Sequence, residues 1–323
     1  QSNRAGGGIE TNGSGSVTLT NVTLNSNDTG VVTGPGAPGN GGGLHVSGSG
    51  TVDVTGSTIN VNTAASEGGG LWNGSGTMTV DSSTLVGNDA QGDGADNGGG
   101  GLFNNGGTLI VQNNTTINGN TATGTAGSGG GIQNVDGGTV NVSDSFVIFN
   151  TANRAGGGIE DNSTNAVGTV TLTNVSLNDN SVGSAPGNGG GFHITGPGNA
   201  AVTGGTVNNN FAAAEGGGLW NGTGTMTVDG AIIDNNTATG ASADQGGGGI
   251  FNAGGTIIVQ NGTLIVNNDA TGAAGSGGGI LNDMGTLTVM DSEISNNTAV
   301  RAGGGIEVAS GGGMNTLTNV TLN

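Results

Sequence analysis

Titratable and aromatic side chains recur at one position of a repeated motif, two residues after a run of glycines. In chain order this position holds Glu10, His45, Trp72, Phe103, Gln133, Glu160, His193, Trp220, Phe251, Leu281 and Glu307. Aromatic rings can stack on sugars or pack against a second protein, and His can titrate or ligate a metal. The chemistry of this chain therefore depends on which elements carry that position and whether solvent reaches it.

Strand alternation places this position on the side opposite the preceding aliphatic residue, and the polar residues among its members indicate a solvent-facing side. We expect an exposed stripe that contacts glycans or a second copy of the protein. Its candidate members are His45, Trp72, Phe103, His193, Trp220 and Phe251. The alternative is that these rings shield the sheet or lie under a loop.

Metal and acid–base sites have weaker support. Both His residues occupy the same repeat position and the chain has no Cys, so zinc lacks a ligand set. The loop from Asp89 to Asp96, with Asp93, offers oxygen ligands for calcium but lacks the spacing of known calcium loops. Asp93 and Asp96 could also form the carboxylate pair of a glycoside hydrolase, although they resemble solvated turn residues. We predict no metal, no cofactor, no catalytic residue and no enzymatic activity.

Basic residues are scarce. Lys and Arg together number 3, and the formal net charge is −19. Each Arg precedes a Glu by six positions, and we expect exposed ion pairs worth about 0–1 kcal/mol: Arg4 with Glu10, Arg154 with Glu160 and Arg301 with Glu307. Nucleic-acid binding and lyase chemistry both need clustered cations, so the composition argues against them. No apolar run reaches the roughly 18 residues of a membrane span.

A second motif places an apolar residue three positions before an Asn. We expect these amides to form an internal ladder, in which each side chain bonds a turn and the Asn one coil away. The column comprises Asn27, Asn62, Asn88, Asn120, Asn150, Asn180, Asn210, Asn236, Asn267 and Asn297.

The two motifs recur together in steps of 26 to 35 residues, with alternating stretches such as Thr77-Met78-Thr79-Val80 between them. One unit reads as three short strands separated by Gly, Asn and Asp turns. The sequence thus predicts an all-β, right-handed parallel β-helix of about ten three-strand coils. A content of 76 Gly and 2% aromatic residues suits its thin core.

A longer repeat of about 148 residues, or five coils, groups the coils into modules, since Arg-Ala-Gly-Gly-Gly-Ile-Glu recurs at 4–10, 154–160 and 301–307. We divide the continuous solenoid into a first module (1–151), a second module (152–300) and the start of a third (301–323). Both ends fall within a coil, which predicts a longer chain or head-to-tail stacking. The terminal contacts would be Gln1, Arg4, Leu322 and Asn323.

The paired Gly-Gly-Gly-aliphatic and apolar-x-x-Asn turns resemble the repeats of chlamydial polymorphic outer membrane proteins, within the broad pectin-lyase-like class of β-helix surface proteins. The resemblance implies an extracellular or cell-surface passenger without a specific ligand. We predict a structural or adhesive fibre whose partners are other copies of itself and glycans. The alternative is a carbohydrate-active β-helix, lyase-like or hydrolase-like, or a glycan-binding module.

Overall fold

The computed structural model describes residues 2, 4–30, 38–309, 311 and 313–323. Over these residues the chain is a parallel β-solenoid of about nine turns, which confirms the predicted β-helix. The described part contains no helix with the length and hydropathy needed to cross a membrane.

Three parallel sheets run along the axis. Among the described residues, the glycine sheet has 11 strands: Ile9–Thr11, Leu44–Val46, Leu71–Asn73, Leu102–Asn105, Ile132–Val135, Ile159–Asn162, Phe192–Thr195, Leu219–Asn221, Ile250–Asn252, Ile280–Asn282 and Ile306–Val308. In the same residues the short sheet has 9 strands: Thr63–Ala64, Asp89–Ala90, Thr121–Ala122, Thr151–Ala152, Ser181–Val182, Phe211–Ala212, Thr237–Ala238, Asp269–Ala270 and Thr298–Ala299.

The third, bent sheet receives two strands from most coils. Its 20 strands in the described chain are Val17–Thr20, Thr23–Asn25, Thr51–Thr55, Thr58–Asn60, Thr77–Asp81, Thr84–Val86, Thr108–Gln112, Thr116–Asn118, Thr139–Ser143, Phe146–Ile148, Thr169–Thr173, Ser176–Asn178, Asn199–Thr203, Thr206–Asn208, Thr225–Asp229, Ile232–Asp234, Thr256–Gln260, Leu264–Val266, Thr286–Ser295 and Asn315–Leu322. A coil therefore has up to four strands in three sheets rather than three strands. The extra bend falls at residues with a left-handed backbone, such as Ser82 (φ 48°).

Equivalent residues of successive coils stack directly above one another. Leu71, for example, pairs with Leu44 on one side and Leu102 on the other, and all three are fully buried. The inward residues of all coils form one continuous apolar cluster along the axis. Because each rung buries its few aliphatic side chains against the next, a narrow core suffices to hold the coil.

The glycine runs exist because the coils approach one another closely at this corner. A Cβ on Gly70 would lie 2.6 Å from the carbonyl oxygen of Gly101 in the next coil and 3.2 Å from Cγ of Asn88. Only a residue without a side chain fits there. The glycine turn therefore fixes the register of the strand that follows it, and with it the position of the side chains that face outward.

Candidate functional site

The stripe predicted to be exposed is covered. His45, Trp72 and Phe103 are only 4%, 6% and 2% exposed, and His193, Phe251 and Trp220 are buried or partly buried. The rings stack coil on coil: His45 and Trp72 have centroids 4.4 Å apart, and Trp72 and Phe103 lie 6.0 Å apart and nearly parallel. The second module repeats these stacks at 4.2 and 5.9 Å. The prediction of an exposed stripe was wrong, and the alternative of rings lying under a loop describes the structure.

In the first module, residues 95–97 cover the rings. They belong to the acidic loop that begins at Asp89, and they fold back over the outward row, which is the row of side chains two residues after each glycine run. The carbonyl oxygen of Ala95 accepts a hydrogen bond of 3.1 Å from Nε2 of Gln133. The side chain of Asn97 reaches Glu67 with a hydrogen bond of 2.8 Å. Covering the rings removes apolar surface from water, which is the physical reason that the loop does not extend into solvent.

A cleft of about 260 Å³ opens beside this loop. Its lining combines three carboxyl groups, three amides and two apolar side chains: Glu67, Asp96, Asp136, Asn105, Asn162, Asn165, Phe103 and Val135. The cleft is therefore mostly polar, and its carboxyl and amide groups can hydrogen-bond a hydroxyl-rich ligand such as a sugar.

Glu67 is held in place by three donors. Nε1 of Trp72 donates to Oε2 at 2.9 Å, and Nδ2 of Asn40 donates to the same oxygen at 2.8 Å. Nδ2 of Asn97 donates to Oε1 at 2.8 Å. Burial nevertheless raises the pKa of Glu67, and the nearby charge of Asp96 raises it further, against the effect of these hydrogen bonds. Glu67 therefore keeps a proton to higher pH than a free glutamic acid, as a proton donor must.

Asp96 and Asp136 are the exposed carboxylates of the cleft. Asp96 accepts a short hydrogen bond from Nδ2 of Asn162, whose own Oδ1 accepts from Oγ1 of Thr164 at 2.8 Å. Asp93 is exposed and does not line the cleft, and its Oδ1 accepts two hydrogen bonds of 2.8 Å from Thr125, which lower its pKa. Of the two acids suggested by the sequence, only Asp96 lies in the cleft, where Glu67 and Asp136 accompany it.

All three predicted Arg–Glu pairs form, but one of them is buried. Arg4 to Glu10 measures 3.2 Å and Arg301 to Glu307 measures 3.1 Å. In the third pair, Arg154 lies 3.3 Å from Glu160, which is fully buried and also lies 2.7 Å from Nδ1 of His193. Burial opposes ionisation of Glu160, but the charges of His193 and Arg154 outweigh it and lower the pKa. The expectation of an exposed pair was wrong at this position.

The Asn column forms a chain of side-chain hydrogen bonds through the core. Asn88, for example, donates from Nδ2 to Oδ1 of Asn120 at 2.8 Å. One member was misassigned: Asn268, and not Asn267, continues the column from Asn236 and donates onward to Asn297 at 2.9 Å. Asn267 adopts a left-handed backbone (φ 55°), because it fills the turn position that precedes the ladder residue in every coil.

A second amide ladder was missed from the sequence. It lies two residues after the aliphatic residue of most glycine turns and forms two runs, Asn73, Asn104, Asn134 and Asp161, then Asn221, Asn252 and Asn282. Asn282 donates onward to Asn315 at the start of the last strand. The recurrence of Asn at this offset was the available signal. Burial raises the pKa of Asp161, the acid in the first run, to about 6.

The proposed terminal contacts are only partly described. Gln1 lies outside the described residues. Arg4 is bound to Glu10, Leu322 stacks in register with Ile294, and the backbone N–H of Asn323 donates to the Ile294 carbonyl at 3.1 Å. The described residues bring together no group of three or more His, Cys, Asp or Glu side chains at metal-binding distance.

Comparison with known proteins identifies the fold of the chain. No family model and no curated protein matches the chain. Among solved structures, it is similar to a crystal structure of a double mutant of the periplasmic alginate epimerase AlgG. The TM-score is 0.64 with 11% sequence identity, covering 96% of this chain and 70% of that chain. None of these comparisons shows the likeness to chlamydial repeats.

This finding corrects the prediction that the protein is not an enzyme. The sequence offers no acid cluster that departs from the repeat, but the structure is similar to that of a carbohydrate-active enzyme, and three carboxyl groups from different coils meet in the cleft at Glu67. At this level of identity, the likeness establishes the fold alone. The chain is a parallel β-helix of the kind seen in the alginate epimerase.

Proposed function

We propose that the protein is a carbohydrate-active β-helix that binds a polysaccharide in the cleft at Glu67 and hydrolyses it there. The observation that carries the proposal is the position of Glu67, a half-buried carboxyl group of raised pKa in a cleft with two exposed carboxylates. Hydrolysis of a glycosidic bond uses such a pair, one acid protonated and one ionised.

The chemistry follows from the two environments. Glu67 donates its proton to the glycosidic oxygen as the bond to the anomeric carbon breaks. An ionised carboxylate, Asp96 or Asp136, takes a proton from the water that adds to that carbon, so that the sugar leaves with a new hydroxyl group. The buried side chains of Phe103 and Val135 close the base of the cleft. The amides of Asn105 and Asn165 offer hydrogen bonds to sugar hydroxyls.

The likeness to a periplasmic enzyme also supports a location in the cell envelope or outside the cell, where polysaccharides are found. The sequence resemblance to surface proteins supports the same location.

The proposal is tested by incubating the full chain with a panel of neutral, acidic and basic polysaccharides and measuring new reducing ends. We expect release from at least one polymer, and its loss in Glu67→Gln. Glu215→Gln is the matched control, because Glu215 holds the same position in the second module and bonds its own Trp. Equal activity in the Glu67 variant and the parent would refute the role of Glu67.

A structural or adhesive role is the second candidate, and a surface patch on the bent sheet favours it. Phe146 and Phe149 are 39% and 56% exposed, beside the partly exposed Ile148. The corresponding positions of the next module are Glu293, Ser295 and Asn296. Phe149 also adopts a left-handed backbone (φ 56°), a conformation that costs a non-glycine residue about 1–2 kcal/mol.

The patch is suited to lateral contact between rods in a fibre. Light scattering and electron microscopy of the parent and of Phe146→Ser/Phe149→Asn test this role. Association that disappears in the variant supports it, and a parent that stays monomeric at high concentration rules it out.

A further inference from the structure

We infer that the cleft at Glu67 selects a polymer of amino sugars with free amines and rejects uronate polymers such as alginate. This inference rests on the proposed function, since it names the substrate class of the same cleft. It departs from the structural neighbour, whose name identifies a polyuronate as its substrate.

The first support is the sign of the charge around the cleft. Glu67, Asp96 and Asp136 all line it, and the effect of Asp96 on the pKa of Glu67 shows that two of these groups interact. Low-dielectric walls focus such a field and raise the local concentration of cations. An ammonium group on a sugar would gain charge-assisted hydrogen bonds from the two exposed carboxylates.

The second support is that no cation is left to receive a uronate. The chain has only three basic residues, and each is engaged by a Glu at 3.1 to 3.3 Å: Arg4 by Glu10, Arg154 by Glu160 and Arg301 by Glu307. A carboxylate on the sugar would meet three carboxyl groups in the cleft and a net charge of −19 on the whole chain. Binding a polyanion here would be repulsive at every sugar unit.

The inference is tested by calorimetry with matched oligosaccharides: a glucosamine pentamer, its N-acetylated counterpart, and oligomers of galacturonate and of alginate. We expect the glucosamine pentamer to bind at least about tenfold more tightly than the N-acetylated one. Its affinity should fall with added salt, while neither uronate oligomer binds. Asp136→Asn, which removes one exposed charge, should weaken binding of the glucosamine pentamer more than binding of the N-acetylated pentamer.

Two results would overturn this inference. One is equal, salt-independent binding of the two pentamers, and the other is binding of either uronate oligomer. Both leave the proposed carbohydrate function standing with a different substrate. Failure of every oligosaccharide to bind, together with no reducing ends released from the polysaccharide panel, would instead refute the proposed function itself.

Discussion

Glu67 and Glu215 occupy the same place in the two modules, and their surroundings differ. Each precedes a glycine triplet, and each accepts a hydrogen bond from the Trp five residues later, at 2.9 and 3.0 Å. Burial raises the pKa of both. Up to this point the second site is a copy of the first.

The copies diverge in the polar groups around the carboxyl. Glu67 has two further donors, Asn40 and Asn97. In the second module, Gln245 stands at the position of Asn97, and its Oε1 accepts from the backbone N–H of Ser242 at 3.1 Å. The cleft amides Asn105 and Asn162 correspond to Ala253 and Ala309.

Residues that repeat between the modules therefore form the scaffold, and residues that differ between the modules form the site. Outward residues and corner loops change without disturbing the register, because the glycine turns and inward aliphatic residues fix each coil. A functional site in this chain is therefore to be sought where the two modules disagree.

Replacing His45 and His193, which hold the same position in the two modules, should lower the free energy of unfolding by very different amounts. His193→Phe leaves Glu160 buried without one of its partners, and we expect a loss of about 3–5 kcal/mol in unfolding free energy. His45→Phe removes no hydrogen bond of Nδ1 within the described chain and should cost much less at neutral pH. Denaturant unfolding of the two variants checks this, and equal losses would contradict it.

The two runs of the second amide ladder differ at Asp161, the only acid in either. A folded-state pKa of about 6 against an ordinary value near 3.8 means that ionisation destabilises the folded state above pH 6. Asp161→Asn should therefore stabilise the fold by about 3 kcal/mol at pH 7–8. The gain should shrink as pH falls from 6 to 3.8, and it should vanish well below that value, where the acid is protonated in both states.

The reverse change in the second module is the control for this ladder. Asn282→Asp should destabilise the fold at neutral pH and recover in acid. A gain for Asp161→Asn that does not vary with pH would show that packing, rather than the buried charge, is responsible.

His45 should make the fold sensitive to acid. Burial, aided by the charge of Arg4, lowers its pKa to about 4 from an ordinary value of 6.5. Between these values the unfolded chain binds a proton that the folded chain does not, so stability falls as pH decreases from 6.5 to 4. The contribution is about 2 kcal/mol at pH 5. His45→Phe should remove this part of the decline, and parallel pH profiles for variant and parent would contradict the assignment.

The side chain of Asn97, a donor that is specific to the first module, should affect catalysis modestly. Asn97→Ala frees one oxygen of Glu67, raises its pKa and loosens its position, and we expect kcat to fall about tenfold. The pH at which kcat is highest should also rise. Gln245→Ala at the equivalent position should leave turnover unchanged. A matching loss in both variants would mean that the modules contribute equally.

The fold could be predicted from the sequence because every coil repeats the same physical requirements. Glycine runs mark the corner where backbones touch, and alternating stretches mark the strands. The slip from Asn268 to Asn267 shows the limit of this approach, since adjacent Asn residues satisfy a three-residue spacing equally well. Only the pairing of Ile233 with Ile265 fixes the correct one.

The site was less predictable. Asp96 was recognised as an acid of interest, but its companions Glu67 and Asp136 were not, because they come from different coils. Strand alternation predicts which side of the sheet a side chain faces, but it does not predict that a loop crosses that side. The burial of the outward row could therefore not be predicted from it. The Trp–Glu contact at Glu67 was present in the sequence as a repeated motif, Glu-Gly-Gly-Gly-Leu-Trp, and was not interpreted as a site.

The most direct test of the account is turnover of the polysaccharide identified in the panel by three proteins: the parent chain, Glu67→Gln and Glu215→Gln. All three should unfold at similar temperatures, because each substitution keeps the shape of the side chain. We predict that the Glu67 variant loses at least about a hundredfold in kcat and that the Glu215 variant matches the parent. Undiminished turnover in the Glu67 variant, or an equal loss in the Glu215 variant, would contradict the assignment of the active site to the cleft at Glu67.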